Sequence, residues 1–248
     1  MAHMSVRGFV LREQPYGETD KLLDLLTADN GLITVAARGA RRSKSRLMSC
    51  SQLFSLSEYQ LFQNKGRFSI DSADLIESFQ GLHKDIDKLI CAAHLAEVFS
   101  DLLRDNLPDR LPYELWAYTA NQLNIGDDPL LAVHAAQLRL LAIEGLKPLT
   151  DSCKYCQNKL ADSMKFAFSE SASYCSSDRC QSAVKGPSML LSAGTAACIQ
   201  HILNCKLSKL FSFKLADDVR QDVITFSDRF LTEQMEKKYT RLDLLAGL

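Results

Sequence analysis

Leu32-Ile33-Thr34-Val35-Ala36-Ala37 runs without a break into Arg38-Gly39-Ala40-Arg41-Arg42-Ser43-Lys44-Ser45-Arg46. The first part alternates as a half-buried β-strand does. The second part puts five positive charges, Arg38, Arg41, Arg42, Lys44 and Arg46, into nine residues, and no Asp or Glu lies between Asn30 and Ser57 to neutralise them. A loop leaving a strand end presents its side chains on a rigid base. Arginine grips phosphate bidentately, and a dense cluster gains by releasing condensed counterions from a nucleic acid. The bland alternative is a solvated basic loop that binds nothing. The whole chain carries 29 Lys and Arg against 30 Asp and Glu, a net charge of −1. The cluster is therefore a local pattern, and a histone-like coat for polyanions is excluded.

Outward from this strand, residues 6–11, 21–27, 53–62 and 67–76 read as further strands. Pro15-Tyr16-Gly17, Asn30-Gly31 and Asn64-Lys65-Gly66 separate them as turns. Five short strands in the first eighty residues predict a small barrel, and the oligonucleotide-binding OB-fold is the best-attested five-stranded kind. The order of the strands is not legible at this level. Met1-Ala2-His3-Met4 reads as an expression scar with the native start at Met4, and it is left out of the expected fold.

After Phe79 the period becomes helical. Ile86, Leu89, Ile90, Ala93, Val98, Leu102 and Leu103 recur at three- and four-residue steps. Residues 130–146 are apolar nearly all round, as in a buried helix, with Gly145 and Pro148 as stop signals. A third helix is expected over 193–203 with Ser192 as its N-cap. A fourth is expected over 217–238, with Val219, Val223, Phe226 and Phe230 on one face. The expected class is α+β, in four parts. An OB-fold nucleic-acid-binding domain takes 4–80, the first part of a helical domain 81–149, a four-cysteine insert 150–185, and the second helical part 186–248. With 248 residues, 46% apolar and 24% charged, the composition is that of a soluble globular protein. No stretch approaches the ~20 apolar residues of a membrane span, and the start lacks a signal-peptide layout. A cytoplasmic, nucleoid-associated protein is expected.

Of eight cysteines, Cys50, Cys91, Cys198 and Cys205 stand singly among apolar neighbours, as buried free thiols do. The other four are paired. Cys153-Lys154-Tyr155-Cys156 is followed after eighteen residues by Cys175-Ser176-Ser177-Asp178-Arg179-Cys180. Two short loops that each offer two sulfurs suit tetrahedral zinc, one ion per chain. Met164-Lys165-Phe166-Ala167-Phe168 between them alternates like a hairpin strand. A segment of this size has little core of its own, so the metal would supply folding energy. Four cysteine ligands leave no open coordination position, which makes the expected zinc structural.

No catalytic constellation assembles. His83, His94, His134 and His201 lie on separate segments without metal-ligand spacing, and Glu97 with Asp101 reads as one wet helix face. There is no phosphate-loop, dinucleotide-glycine or nucleophile-elbow motif. The sequence favours a binding protein over an enzyme.

Several blocks together resemble the RecO family of bacterial DNA repair proteins. Gly8-Phe9-Val10-Leu11-Arg12, Pro15-Tyr16-Gly17-Glu18-Thr19-Asp20, Leu26-Thr27, Gly31 and Val35-Ala36-Ala37-Arg38-Gly39-Ala40-Arg41 look like the opening of that family. Gln137-Leu138-Arg139-Leu140-Leu141, Gly145-Leu146-Lys147-Pro148 and Cys153-Lys154-Tyr155-Cys156 look like the block joining its helical domain to its zinc module. Two departures stand out. The second cysteine pair is looser than the family's usual spacing, and Ser171-Ala172 replaces the expected Gly-Gly; Gln157 also stands where a turn glycine often follows.

The resemblance implies a non-enzymatic recombination mediator. Such a protein binds single- and double-stranded DNA, anneals complementary strands, partners RecR and helps RecA load onto DNA coated by single-strand-binding protein (SSB). Neither a membrane nor a small-molecule substrate is expected. Tyr16 or Phe9 could stack on a base. The SSB C-terminal tail is acidic with an apolar end, and Arg139 and Lys147 beside Leu138, Leu140 and Leu141 are its expected receptor. The rival is a zinc-bearing protein-interaction or transcription-type adaptor that contacts RNA or a partner through its basic loop. It predicts little affinity for naked single strands.

Overall fold

The computed structural model describes residues 2–103, 107–159 and 163–247. They form two compact units, Met1–Gly126 and Asp127–Leu248.

The first unit opens with five strands: β1 (Ala2–Tyr16), β2 (Asp20–Thr27), β3 (Gly31–Ala37), β4 (Leu56–Asn64) and β5 (Arg67–Glu77). They close into a barrel in the order β1-β2-β3-β5-β4. All pairings are antiparallel except the closing one, where β3 meets β5 in parallel at Val35–Phe68 and Ala36–Ser69. A register shift between Val10 and Arg12 bends β1, so that one strand pairs with β4 through its first half and with β2 through its second. Alternation does the rest: Val10, Leu23, Leu25, Val35, Tyr59 and Leu61 point inward and are fully buried.

The five expected strands are all present, with three main differences at their ends. Strand β1 continues past 11 to Tyr16, so that Pro15 and Tyr16, expected in a turn, pair with Lys21 and Asp20. Residues 2–4, set aside as a scar, are paired: Ala2, His3 and Met4 lie opposite Gln63, Phe62 and Leu61. Strand β4 starts at Leu56 and not at 53, because Phe54 takes a left-handed backbone (φ 65°) and its N–H donates to the Val10 carbonyl at 2.7 Å.

Three helices complete this unit: α1 (Gln80–His83), α2 (Ile86–Leu102) and α3 (Arg110–Ile125). Asp85 caps α2 by accepting from the Asp87 and Lys88 N–H groups. Its buried face is Cys91, Ala92, His94, Leu95, Val98 and Phe99, while Ile86 at its first turn is 58% exposed. The expected stripe was thus rotated at its start. Helix α3 lies inside the expected helical part 81–149 but was not delimited there. Pro112 reads as a breaker, yet it sits in the first turn, where its missing N–H costs nothing. Trp116 of α3 packs on Phe54 (5.9 Å between rings) and Phe99 (5.1 Å), and Tyr113 packs on Phe9 (5.3 Å), so the helices cover one end of the barrel.

The second unit holds α4 (Pro129–Ile143), β6 (Met164–Ala167), β7 (Ala172–Tyr174), α5 (Asp178–Gln181), β8 (Ser188–Leu191), α6 (Ala193–Asn204) and α7 (Asp217–Met235). Helix α4 buries nine of its residues, as its all-round apolar sequence requires. Ser192 caps α6 through the Thr195 N–H, as read from the sequence. The strands form a sheet in the order β7-β6-β8. Phe166 and Phe168, in the expected hairpin segment, stack edge-on or tilted against Phe226 of α7 at 4.8 and 5.7 Å. One face of the small sheet is therefore helical-bundle core. No helix among the described residues is long and apolar enough to cross a membrane.

Candidate nucleic-acid interface and cysteine cluster

The basic segment forms the connection between β3 and β4, residues 38–55, folded as successive turns: Arg42 N–H to the Gly39 carbonyl, Ser45 to Arg42, Met48 to Ser45 and Ser51 to Leu47. Its apolar residues hold it down. Ala40, Cys50 and Phe54 are at most 3% exposed, and the buried Tyr59 hydroxyl donates to the Cys50 carbonyl at 2.6 Å. Burial raises the Tyr59 phenol far above its ordinary range, so it stays a donor. Arg38, Arg41, Arg42, Lys44 and Arg46 are all exposed, and among the described residues none of the five is in an ion pair.

Arg38 lies at one side of a groove of about 860 Å³ on the barrel wall. Tyr16 from the end of β1, Thr34 of β3, Phe68 of β5, and Lys65 and Arg67 around the β4–β5 turn line the rest. In five-stranded barrels of this kind the β2–β3 face and the loops after β1 and β4 bind oligonucleotides. Tyr16 is 57% exposed here, whereas Phe9 is 1% exposed among Phe79 and Tyr113. Of the two aromatic candidates, only Tyr16 can reach a ligand. Lys65 and Arg67 escaped the sequence reading because Asn64-Lys65-Gly66 registers there only as a turn; their place beside Arg38 follows from the β3–β5 closure. Asp20 also lines the groove. The Gly39 N–H, then the Thr19 hydroxyl, hold its carboxyl below the usual carboxylate range.

In the second unit Cys153, Cys156, Cys175 and Cys180 converge, all four Sγ atoms lying within 4.8 Å of one another. Cys156 and Cys175 are 3.9 Å apart. A tetrahedral zinc with Zn–S bonds of ~2.3 Å needs sulfurs about 3.8 Å apart. Cys153 and Cys180 are buried, the other two half-buried. Burial opposes a thiolate at Cys153, yet backbone N–H groups of Cys156, Cys175 and Tyr155 turned toward its sulfur outweigh it and bring the thiol down to about 6. Burial and the three neighbouring thiols push Cys180 up to about 12. Thiolate-stabilising amides at Cys153, with three further sulfurs beside it, fit a metal-binding site, and the four cysteines could hold an ion. The long second pair is accommodated because α5 carries Cys180 back by one turn.

Arg139 and Lys147 come together, both at the C-terminal end of α6. The Arg139 guanidinium donates to the carbonyls of Ile202, Leu203 and Cys205, and Lys147 donates to Asn204 Oδ1 at 2.6 Å. Cations there satisfy the orphan carbonyls and the negative end of the helix dipole. Leu138, Leu140 and Leu141 are fully buried and form no surface groove.

Residues 1–79 match the family model described as Recombination protein O N terminal, and residues 83–243 match Recombination protein O C terminal. DNA repair protein RecO of Acetivibrio thermocellus is 33% identical over 249 residues, covering 100% of this chain and 98% of that one. The protein of the same name from Clostridium perfringens is 27% identical over 248 residues, 99% of this chain and 98% of its own. That of Bacillus subtilis is 32% identical over 152 residues, 61% and 60% of the two chains. The match runs through the barrel, the basic loop and the cysteine cluster alike, and the chain belongs to the RecO family.

Proposed function

We propose that this protein is a DNA-binding recombination mediator that holds single and double strands by their phosphates, anneals complementary strands and, with RecR, helps RecA load onto SSB-coated DNA. The observation that carries this reading is the set of five exposed cations, Arg38, Arg41, Arg42, Lys44 and Arg46, none of them in an ion pair among the described residues, continuous with a groove that adds Lys65, Arg67 and Tyr16. Contacts of this kind grip a backbone without reading bases, which annealing requires because every sequence must be accepted. An exposed tyrosine adds stacking that tolerates any base.

The cysteine cluster takes the structural role, holding zinc through Cys153, Cys156, Cys175 and Cys180. Leu138, Leu140 and Leu141 are buried and offer the SSB tail no groove, so of the expected receptor only the exposed Lys147 is kept as a contact for the tail's acidic part. Lys147 is the better probe of that assignment, because Arg139→Ala would also uncap α6.

The deciding experiment is binding of a fluorescent oligonucleotide at several salt concentrations, followed by annealing of two complementary strands without ATP. Arg42→Ala should lower the slope of log K against log salt by about 0.7 for a single strand and about 0.9 for a duplex. An unchanged slope in a folded variant removes the loop from the interface. Failure of the wild type to bind naked strands favours the adaptor reading.

A further inference from the structure

Asp20 is an acid in a groove whose other charged residues are cations. Arg38, Lys65 and Arg67 line the same surface, and a carboxylate among them repels phosphate. Its geometry explains its presence. Asp20 Oδ1 accepts from the Gly39 N–H at 2.8 Å and from the Thr19 hydroxyl at 3.0 Å. Gly39 has φ +66°, so this left-handed residue turns the chain out of β3 and its N–H back toward the start of β2. Two residues on, the Arg41 N–H donates to the Thr19 carbonyl at 2.9 Å. Arg41 Nη1 reaches the Gly17 and Glu18 carbonyls at 3.4 and 3.3 Å. All of these bonds except Thr19–Asp20 join the turn 17–20 to the start of the basic loop. Tyr16, just before that turn, and Arg38, at the start of the loop, both line the groove. The remaining nitrogens of the Arg41 guanidinium stay available to a phosphate.

We infer that Asp20 and Arg41 form a latch that fixes the basic loop against the β1–β2 turn, with Asp20 a positioning residue that strengthens polyanion binding despite its own negative charge. This rests on the reading of the loop as the DNA contact. Without the latch, Arg38 and Arg42 leave from a free turn, and ordering that turn is charged against binding. With it, Tyr16 and the cations are presented in one arrangement. The gain must exceed the repulsion of one carboxylate already bonded to a backbone N–H and screened by water.

The two roles of Asp20 separate in substitution. Asp20→Asn removes the charge and keeps an acceptor for Gly39; Asp20→Ala removes both. If only the charge mattered, both variants would bind a single-stranded oligonucleotide more tightly than wild type, and equally so. The latch predicts that Asp20→Ala binds about fivefold more weakly, the loss of one ordinary hydrogen bond, and that Asp20→Asn binds at least as tightly as wild type. Amide hydrogen exchange on the DNA-free protein gives the second measurement. Exchange at Gly39 and Arg41 should rise in Asp20→Ala and stay near wild type in Asp20→Asn. Arg41→Lys, which does not keep the reach to both carbonyls, should raise amide exchange at Gly39 and at position 41; it also serves if Asp20→Ala does not fold. Unchanged exchange in Asp20→Ala and Arg41→Lys, or an Asp20→Ala protein that binds as tightly as Asp20→Asn, overturns the latch. A flat salt response of Arg42→Ala instead overturns the DNA-contact reading, and the exchange data, which involve no DNA, still decide the latch.

Discussion

The basic loop and the cysteine segment are both candidate functional sites outside the main strands and helices, yet they are held in opposite ways. Residues 38–55 expose five cations but sink Ala40, Cys50 and Phe54 into a barrel that already has a full core. The cysteine segment has a small core of its own. Apart from the face of its hairpin that leans on α7, its buried cluster is Cys153, Ala167, Tyr174 and Cys180, with Cys156, Cys175, Ala183 and Val184 partly buried around it. Half of that cluster is sulfur. A loop can be made precise by anchoring apolar side chains where a core is near, and by a metal where it is not.

The strongest way to break the contrast is to take the thiols out of use. Chelation, or Cys153→Ser, should cost more than about 3 kcal/mol locally and unfold the ends of the 150–185 segment. Limited proteolysis should then cut there while the barrel keeps its melting transition. Elemental analysis of protein purified without chelator should find about one zinc per chain. A metal-free protein of equal stability would leave the cysteines as a small hydrophobic cluster only.

The converse experiment acts on the barrel. Phe54→Ala removes a side chain 1% exposed against Trp116, and should cost about 3–5 kcal/mol in denaturant unfolding. Because it leaves all five cations in place, the salt slope of DNA binding should survive where the protein is folded. Tyr59→Phe strands the Cys50 carbonyl and should cost about 1–2 kcal/mol. A Phe54→Ala cost below 1 kcal/mol would mean that the loop is not anchored through this residue.

A third perturbation asks whether the helical bundle, and not the cysteines, sets the stability of the second unit. Arg220 of α7 is bidentate on Asp128, the N-cap of α4, at 2.6 and 2.8 Å. Both side chains are about a third exposed (32% and 38%), so solvent screening limits Arg220→Ala to about 1 kcal/mol. Burial raises the Asp128 carboxyl, but the Arg220 guanidinium and the Leu131 N–H outweigh it and leave it below its ordinary value. A carboxyl lowered in the folded state gives stability that is complete above its unfolded value, near 3.9. That stability is lost as pH falls through the lowered one. Acid titration of wild type and Arg220→Ala should therefore converge at the acid end and separate by neutral pH. Parallel curves would remove this pair from the acid response.

Much of this was legible beforehand, for identifiable reasons. Strand period, turn residues and the Ser192 cap are local signals, and the strands and α6 follow them closely. The paired cysteines announce their cluster by spacing alone. Helix α3 lies inside the expected helical part 81–149 but was not delimited there, and Pro112 is compatible with it only because the helix starts at Arg110 after the Asp109 cap. Lys65 and Arg67 join the groove only through the parallel β3–β5 closure, a long-range pairing with no local signature. The leucines around Arg139 suggested a groove, but α4 is buried all round and its arginine reaches the end of α6 instead. Position in a helix could be read; the neighbouring helix could not.

The smallest expected effect concerns the departures from the family pattern in the cysteine segment. Gln157, after the first cysteine pair, has φ 63°, and Ser171, in place of an expected glycine, has φ 50°. Both are left-handed, which explains why glycine is expected at each. The two are not equivalent. Ser171 returns part of its cost by bonding Gln234 through its hydroxyl at 3.0 Å, so Ser171→Gly exchanges one gain for another and should be near neutral. Gln157 makes only a bond within its own turn, from Nε2 to the Lys154 carbonyl at 3.0 Å, on an exposed side chain. Gln157→Gly should therefore stabilise the metal-loaded segment by about 0.5–1 kcal/mol, the left-handed strain relieved less the added freedom of the unfolded chain. Thermal unfolding with metal bound, compared with the same variant after chelation, checks it. The gain should be present only while the Cys153–Cys156 turn is formed, and an equal gain in the metal-free protein would show that the turn persists without the ion.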